Sequence, residues 1–195
     1  KSDDFFPYRD NPNGFWTGYF TSRVSQKGYT RDSGRDFQNI RRLVSHKLLQ
    51  NESNYLANNI KNVVQAIRNA EENRGLLQHH DAVSGTAKQH VKEDYVYLME
   101  KTMNALHDVV VNPVFQEETQ AKLGLNVSYT KCLLNTTADA CNVTQGLLNK
   151  QSVLVAVYNP LKNDRDQIVR IKVPTTKVQV YSLNNQSGQV KLDTD

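Results

Sequence analysis

Phe37, Ile40, Val44 and Leu48 recur at helical spacing between about residues 32 and 50, while Arg41, Arg42, Ser45 and Lys47 fall largely elsewhere on the wheel. The pattern predicts an amphipathic helix. Asn51 to Asn54 break it, and Ser53 is a suitable cap for a second helix. Leu56, Ile60, Val63, Val64 and Ile67 form that helix's stripe, which weakens around Asn73-Arg74-Gly75. A third helix is expected from a Thr86 cap to about Val110, with Val91, Tyr95, Leu98, Thr102 and Leu106 on one face. Asn112-Pro113 is its expected stop signal. Three one-sided helices can bury their stripes against one another as an antiparallel bundle over residues 24–113. Packing supplies most of the stability of such helices, because each is marginal alone.

The period changes outside that region. Residues 1–23 pack seven aromatic side chains around the turn-formers Asn11-Pro12-Asn13-Gly14, which predicts a loop that presents rings. Aromatics at this density rarely stay exposed without a partner, so the segment is expected to complete a core with other sequence. Residues 114–150 are polar and rich in Thr and Asn, and predict a loop or hairpin. Residues 151–195 contain the β-branched runs "SVLVAVYNPL", "QIVRIKVP" and "VQVYSL", punctuated by Asn159-Pro160, Pro174 and Asn184-Asn185. These read as the first strands of a β-sandwich, which three strands cannot close. The chain is therefore expected to be internal to a longer protein at both ends.

Composition narrows the function classes. Hydrophobic residues make up 38% of the 195, enough for a packed core, and no apolar run approaches the roughly eighteen residues of a membrane span. The net charge is +4, but the cations are dispersed apart from Arg41-Arg42, without the basic, aromatic-laced stripe of a nucleic-acid binder. Cys132 and Cys141 stand among the sequons at Asn126, Asn135 and Asn142, and further sequons begin at Asn51 and Asn185. Together they favour the secretory pathway, where disulfides persist and Asn acquires glycans. A Cys132–Cys141 disulfide closing residues 114–150 is the expectation; two reduced cysteines in a cytosolic loop are the alternative. A zinc ribbon is excluded, because no second Cys pair or nearby His completes four ligands.

The densest chemistry lies in "LLQHHDAVSGT", residues 76 to 86. Neutral imidazole is the commonest protein ligand for zinc. If His79 and His80 were helical they would point about 100° apart and could not easily share one metal. One would face the metal and the other would support it, while Asp81 would orient an imidazole or accept hydrogen bonds from a polyhydroxylated ligand. The same triplet at a helix end also serves as a surface cap, since cationic His is favoured there. His90 reads as structural, and His46 and His107 as helix-surface residues without signal. A glycosidase needs two carboxyl groups at a set separation, and nothing in the spacing of Asp3, Asp4, Asp10 and Asp81 marks a pair.

Beyond spacing, "DDFFPYRDNPNGFWTGYFTSR" followed by "LLQHHDAVSGTAKQHVKEDY" closely resembles the class II α-mannosidases, family 38 of the glycoside hydrolases. The later "VAVYNPL" resembles the start of that family's C-terminal β-region, so the resemblance runs in order along nearly the whole chain. The Phe-Phe-Pro-Tyr opening and the Val-Ser of the histidine motif look more like the lysosomal than the Golgi branch. Arg9 and Val24 depart from the usual pattern and imply a divergent member. The resemblance implies the C-terminal edge of a catalytic α/β barrel, a three-helix bundle and the start of an all-β sandwich domain. It implies a zinc-dependent retaining mannosidase acting on mannose-containing oligosaccharides, with His80 as a zinc ligand, Asp81 on the sugar hydroxyls and Trp16 lining the sugar site. The other zinc ligands, the nucleophile and the acid/base carboxyl belong, by the same resemblance, to polypeptide outside these residues. This chain would then work with other chains or fragments of the same precursor, in the lysosome or another lumen of the secretory pathway. A Golgi-type processing mannosidase and a non-catalytic glycosylated helical interaction module are the competing readings.

Overall fold

The computed structural model describes residues 7–131, 141–149, 151–184 and 188–192. Asp3, Asp4, Cys132, Asn135 and Asn185 lie outside the described residues. The chain forms two compact units, one running to Val111 and the other from Asn112.

The first unit opens with a short antiparallel pair, β1 (Arg9–Asn11) and β2 (Gly14–Phe15), closed by the turn at Pro12-Asn13. A 3-10 turn, Gly18–Phe20, leads into α1 (Val24–Leu49). Next come α2 (Asn54–Asn58), α3 (Ile60–Leu76) and α4 (Gln89–Leu106). Cross-contacts set their directions. Arg74 and Glu71 of α3 meet Phe37 and Arg41 of α1, so rising numbers on one face falling numbers on the other. Asp36 of α1 meets His107 just past α4, and Arg23 meets Gln89, so α1 and α4 run the same way. The result is an up-down-up bundle in which α3 packs on α4 and α1 on both.

The core is one contiguous set: Phe37, Ile40, Leu43 and Val44; Leu56, Val63 and Ala70; Met99, Met103, Leu106 and Val110. It differs in detail from the periodicity. Ile60 and Val64 are exposed, and Ala70 takes the place expected of larger side chains. On α4 the buried stripe is Met99, Met103 and Leu106, shifted round from Val91, Tyr95, Leu98 and Thr102. The first helix begins well before residue 32. Its buried stripe continues upstream as Gln26, Thr30 and Ser33. The Thr30 and Ser33 hydroxyls bond back to carbonyls of their own helix, at 2.9 and 2.8 Å to Gln26 and Tyr29, so they can be buried without a cross-helix partner.

The joint between α1 and α2 has a local cause. Asn51 adopts φ +53° just past the helix end, where a left-handed residue ends a helix and Asn tolerates it. Ser53 then caps α2, its hydroxyl accepting from the Leu56 amide at 3.2 Å. Lys47, buried at the end of α1, pairs with Glu52 at 2.8 Å.

Pro113 does not stop the helical path. A π-helical turn, His107–Val111, precedes α5 (Asn112–Leu123), which begins the second unit. The Pro113 ring has no N–H to offer the Val109 carbonyl one turn back. The Tyr55 hydroxyl donates to that carbonyl instead, at 2.9 Å.

In the second unit, Tyr129 folds back on α5. Its amide donates to the Asn112 side chain at 2.7 Å, its hydroxyl meets that of Thr119 at 2.6 Å, and its ring lies 5.6 Å from Phe115. A 3-10 helix spans Asn142–Asn149, and the buried Thr144 hydroxyl donates to the Lys172 carbonyl at 2.9 Å. Of the three expected strands, only the last forms among the described residues, as the hairpin β3 (Val180–Asn184) and β4 (Gly188–Leu192). The runs at 152–161 and 167–174 carry no strand, and Ile168 is 83% exposed. The sandwich expectation is thus reduced to one hairpin, because β-branched alternation needs a partner strand and a facing sheet to act on. No helix among the described residues is long and apolar enough to cross a membrane.

Candidate functional site

The histidine motif is neither a helix nor a plain helix cap. α3 ends at Leu76, and residues 77–85 form a chain of tight turns. The His79 amide donates to Leu76, the Ala82 and Val83 amides to His79, and the Thr86 and Ala87 amides both to the Asp81 carbonyl. In these turns the two imidazoles do not diverge as they would on a helix. Their ring centroids lie 4.2 Å apart. The His79 and His80 Nε2 atoms lie 3.3 and 3.5 Å from Asp81 Oδ2. One donor atom from each of the three residues falls within 4.8 Å of the others. The helical premise behind the expected divergence of the two histidines fails here, and the turn brings both Nε2 atoms near one Asp81 oxygen.

Thr86 holds Asp81. It was the expected cap of α4, but that helix begins at Gln89 without a side-chain cap bond. The Thr86 hydroxyl instead donates to Asp81 Oδ1 at 2.8 Å and also meets the Ser84 hydroxyl at 2.9 Å. Ser84 in turn bonds to the His80 carbonyl. The Thr86 bond, helped by the bond to His79 and the nearby imidazole charges, holds the Asp81 carboxyl below its usual range.

The turn is fastened to the start of α1 by four side chains. Gln26 Nε2 donates to the Ala82 carbonyl at 2.9 Å, Lys27 Nζ to Ser84 at 2.5 Å, the Ser22 hydroxyl to Gly85 at 2.9 Å and Arg23 Nη1 to Ala87 at 2.5 Å. Lys27 also bonds the Ser22 carbonyl at 2.6 Å, so one ammonium joins both strands of the contact. Arg23 itself sits at φ +49°, an uncommon conformation for a non-glycine residue. Gly85 has φ +78°, and a Cβ there would lie 2.7 Å from the Ser22 carbonyl oxygen. Glycine is required here by both its dihedral and the close approach. These clamping residues were not legible from motif spacing. Only Gln26 has a sequence signal, as the first position of a polar stripe, Gln26-Thr30-Ser33, in register with the apolar stripe of α1.

The three donors fit part of a zinc shell. Two ligand atoms on a tetrahedral zinc are about 3.3 Å apart, given bonds of about 2.0–2.1 Å, close to the two Nε2 to Oδ2 separations. His80 is the most open of the three, its side chain 84% exposed, while His79 is nearer Asp81 and half covered. Trp16 is 58% exposed and meets Tyr8 edge-on, with ring centroids 5.4 Å apart. Its amide donates to the Tyr8 carbonyl at 2.7 Å. Asp10 is exposed on β1. His46 and His90 are exposed, but His107 is not a bare surface residue: its Nε2 lies 2.9 Å from Asp36 Oδ2 across the bundle.

Comparison with known proteins gives the chain a family. The family model described as the alpha mannosidase middle domain matches residues 14–116. The chain is 35% identical over 193 residues to the lysosomal alpha-mannosidase of Dictyostelium discoideum, an alignment covering 96% of this chain and 18% of that protein. It is 36% identical to the lysosomal alpha-mannosidase of Felis catus, over 89% of this chain and 16% of that protein. With alpha-mannosidase 2 of Homo sapiens the identity is 29%, over 98% and 17%. The chain thus spans less than a fifth of the length of these curated relatives. No solved structure matches it significantly. The matched span contains Trp16, the clamp and the whole histidine turn, and the chain belongs to the alpha-mannosidase middle domain family.

Proposed function

We propose that this chain is a segment of a zinc-dependent retaining α-mannosidase that removes terminal α-mannosyl residues from N-glycans. The observation that carries the reading is the convergence of His79, His80 and Asp81 on a turn clamped at four carbonyls, in a chain of this family. Zinc, when bound, supplies Lewis-acid polarisation and orientation of the sugar hydroxyls. His80 would hold the metal through the lone pair of its imidazole. His79 supports from beside Asp81. The Asp81 carboxylate, kept ionised by Thr86, accepts hydrogen bonds from sugar hydroxyls. The Trp16 indole face walls the pyranose ring. On this reading Asp81 serves the sugar and His79 supports, which leaves His80 as the one ligand of this chain where a zinc site needs at least three, so the remaining zinc ligands, the nucleophile and the acid/base carboxyl lie in polypeptide outside this chain.

The same reading assigns residues 1–23 to the last segment of a catalytic barrel, 24–113 to the bundle, 114–150 to a disulfide-closed connection and 151–195 to the first strands of a β-domain. A Cys132–Cys141 bond is supported by the disulfide-bonded state of Cys141. Asn126 and Asn142 are exposed and suit glycans. The Asn51 sequon also has a structural use at every position, as a left-handed turn, a partner of Lys47 and a helix cap, while Asn51 itself is exposed and open to a glycan. A lysosomal or other secretory-pathway location is supported by the names of the relatives, and the higher identities favour the lysosomal branch.

The test is His80→Ala in the full-length protein, with His90→Ala as the exposed-histidine control. Zinc content and mannoside turnover should both collapse in H80A and persist in H90A. Full zinc and full turnover in H80A would remove the motif from the chemistry.

A further inference from the structure

The face of α1 beside the histidine turn carries a second feature that the mannosidase reading does not use. An open groove of about 730 Å³ runs along it, lined by Lys27, Arg31, Arg35 and Arg42 from α1 and by Arg74 from α3. No carboxylate is among the lining residues. Lys27, Arg31 and Arg35 repeat at four-residue spacing, which stacks like charges on one helical face and disfavours the helix by itself. Within the described residues that repulsion is only partly offset. Arg35 pairs with Asp32, and Lys27 bonds two carbonyls. Arg74 lies over the Phe37 ring at 5.7 Å, and its Nε is buried with no hydrogen-bond acceptor among the described residues. A buried guanidinium N–H without an acceptor is costly and is normally satisfied by something. Gly34, between Arg31 and Arg35, keeps the floor low beside Arg74: even a Cβ there would stand 3.5 Å from Arg74 Nε.

The geometry points to a binding groove for a phosphate monoester carried on a polar group such as a sugar. Guanidinium forks match phosphate oxygens in pairs. A dianion neutralises several of these cations at once, as a single carboxylate cannot. The groove is larger than a bare phosphate needs, and Gln38, Asn39 and Gln78 on its walls provide partners for hydroxyls. This inference does not rest on the mannosidase reading, and its test is scored by binding rather than turnover, so the two can fail separately.

The experiment is calorimetric titration of the full-length protein with inorganic phosphate and with glucose 6-phosphate, at ionic strength matched by potassium chloride. Saturable binding is expected, with the sugar phosphate the tighter ligand. The double variant Arg31→Gln and Arg42→Gln, both exposed and outside the core, should weaken it by at least about tenfold. Tighter binding of inorganic phosphate would keep the anion site but assign it to the free ion. No saturable binding, or binding unaltered in the double variant, overturns the proposal.

Discussion

Gly85→Ala tests the clamp where it is tightest. Gly85 has φ +78°, and its missing side chain leaves room for the Ser22 carbonyl, 2.7 Å from where a Cβ would stand, and the Arg23 Cβ at 3.1 Å. An L-residue in the left-handed region costs about 1–2 kcal/mol. Moving the turn off Ser22 also breaks the hydroxyl bond to the Gly85 carbonyl, about 1 kcal/mol more. The sum is about 2–3 kcal/mol of local stability. Amide hydrogen exchange reads it directly, because the Thr86 and Ala87 amides both donate to the Asp81 carbonyl at 3.1 Å. Their exchange should accelerate by about 30- to 140-fold. Gly124→Ala is the matched control. Gly124 also has positive φ, +66°, but nothing lies within 4 Å of its Cβ position, so dihedral strain alone applies. Unchanged exchange at Thr86 and Ala87 in G85A, or local opening no greater than G124A causes at its own amide, would refute the clamp.

Three further outcomes follow from single contacts. Thr86→Val removes the bond that most lowers the Asp81 pKa; the carboxyl should then protonate at a higher pH than in the parent, measurable by NMR titration, and an unmoved midpoint would contradict that cause. Burial, then the charge of Glu100, push the Tyr29 phenol up to about 12. An unfolded tyrosine ionises near 10, so stability should fall as pH rises between these values, and near-UV titration should show one of the nine tyrosines lagging; complete ionisation by about pH 11 would contradict it. Tyr55→Phe leaves the Val109 carbonyl beside Pro113 without its donor and should lower stability by about 1 kcal/mol, read by thermal or urea unfolding, with no change if the bond is immaterial.

The helices were legible because their apolar periodicity is strong: Phe37, Ile40 and Val44, then Leu56 and Val63, sit in the core where spacing put them. The start of α1 was not, because Thr30 and Ser33 bury hydroxyls that their own helix satisfies, and Gln26 finds its partner at the sequence-distant Ala82 carbonyl, neither of which is visible in sequence polarity. Pro113 misled for a related reason. A tyrosine distant in sequence supplies the bond that proline cannot, and no local pattern announces it. At the candidate site the residue types were legible and their geometry was not. His79 and His80 converge because the chain turns after Leu76, and the turn exists because four α1-side donors hold its carbonyls. Contacts between positions some sixty residues apart leave little trace in local spacing. The β-branched runs after residue 150 carry the correct propensity, but pairing depends on partners that propensity does not specify.

The most direct measurement is zinc-edge anomalous diffraction from crystals of the zinc-loaded full-length protein. A single strong peak is predicted within about 2.0–2.1 Å of His80 Nε2, with Asp81 beside it and the other ligands drawn from polypeptide outside this chain. A peak remote from His80, or none in protein that turns over mannosides, would contradict the assignment of this turn as one corner of a catalytic metal centre.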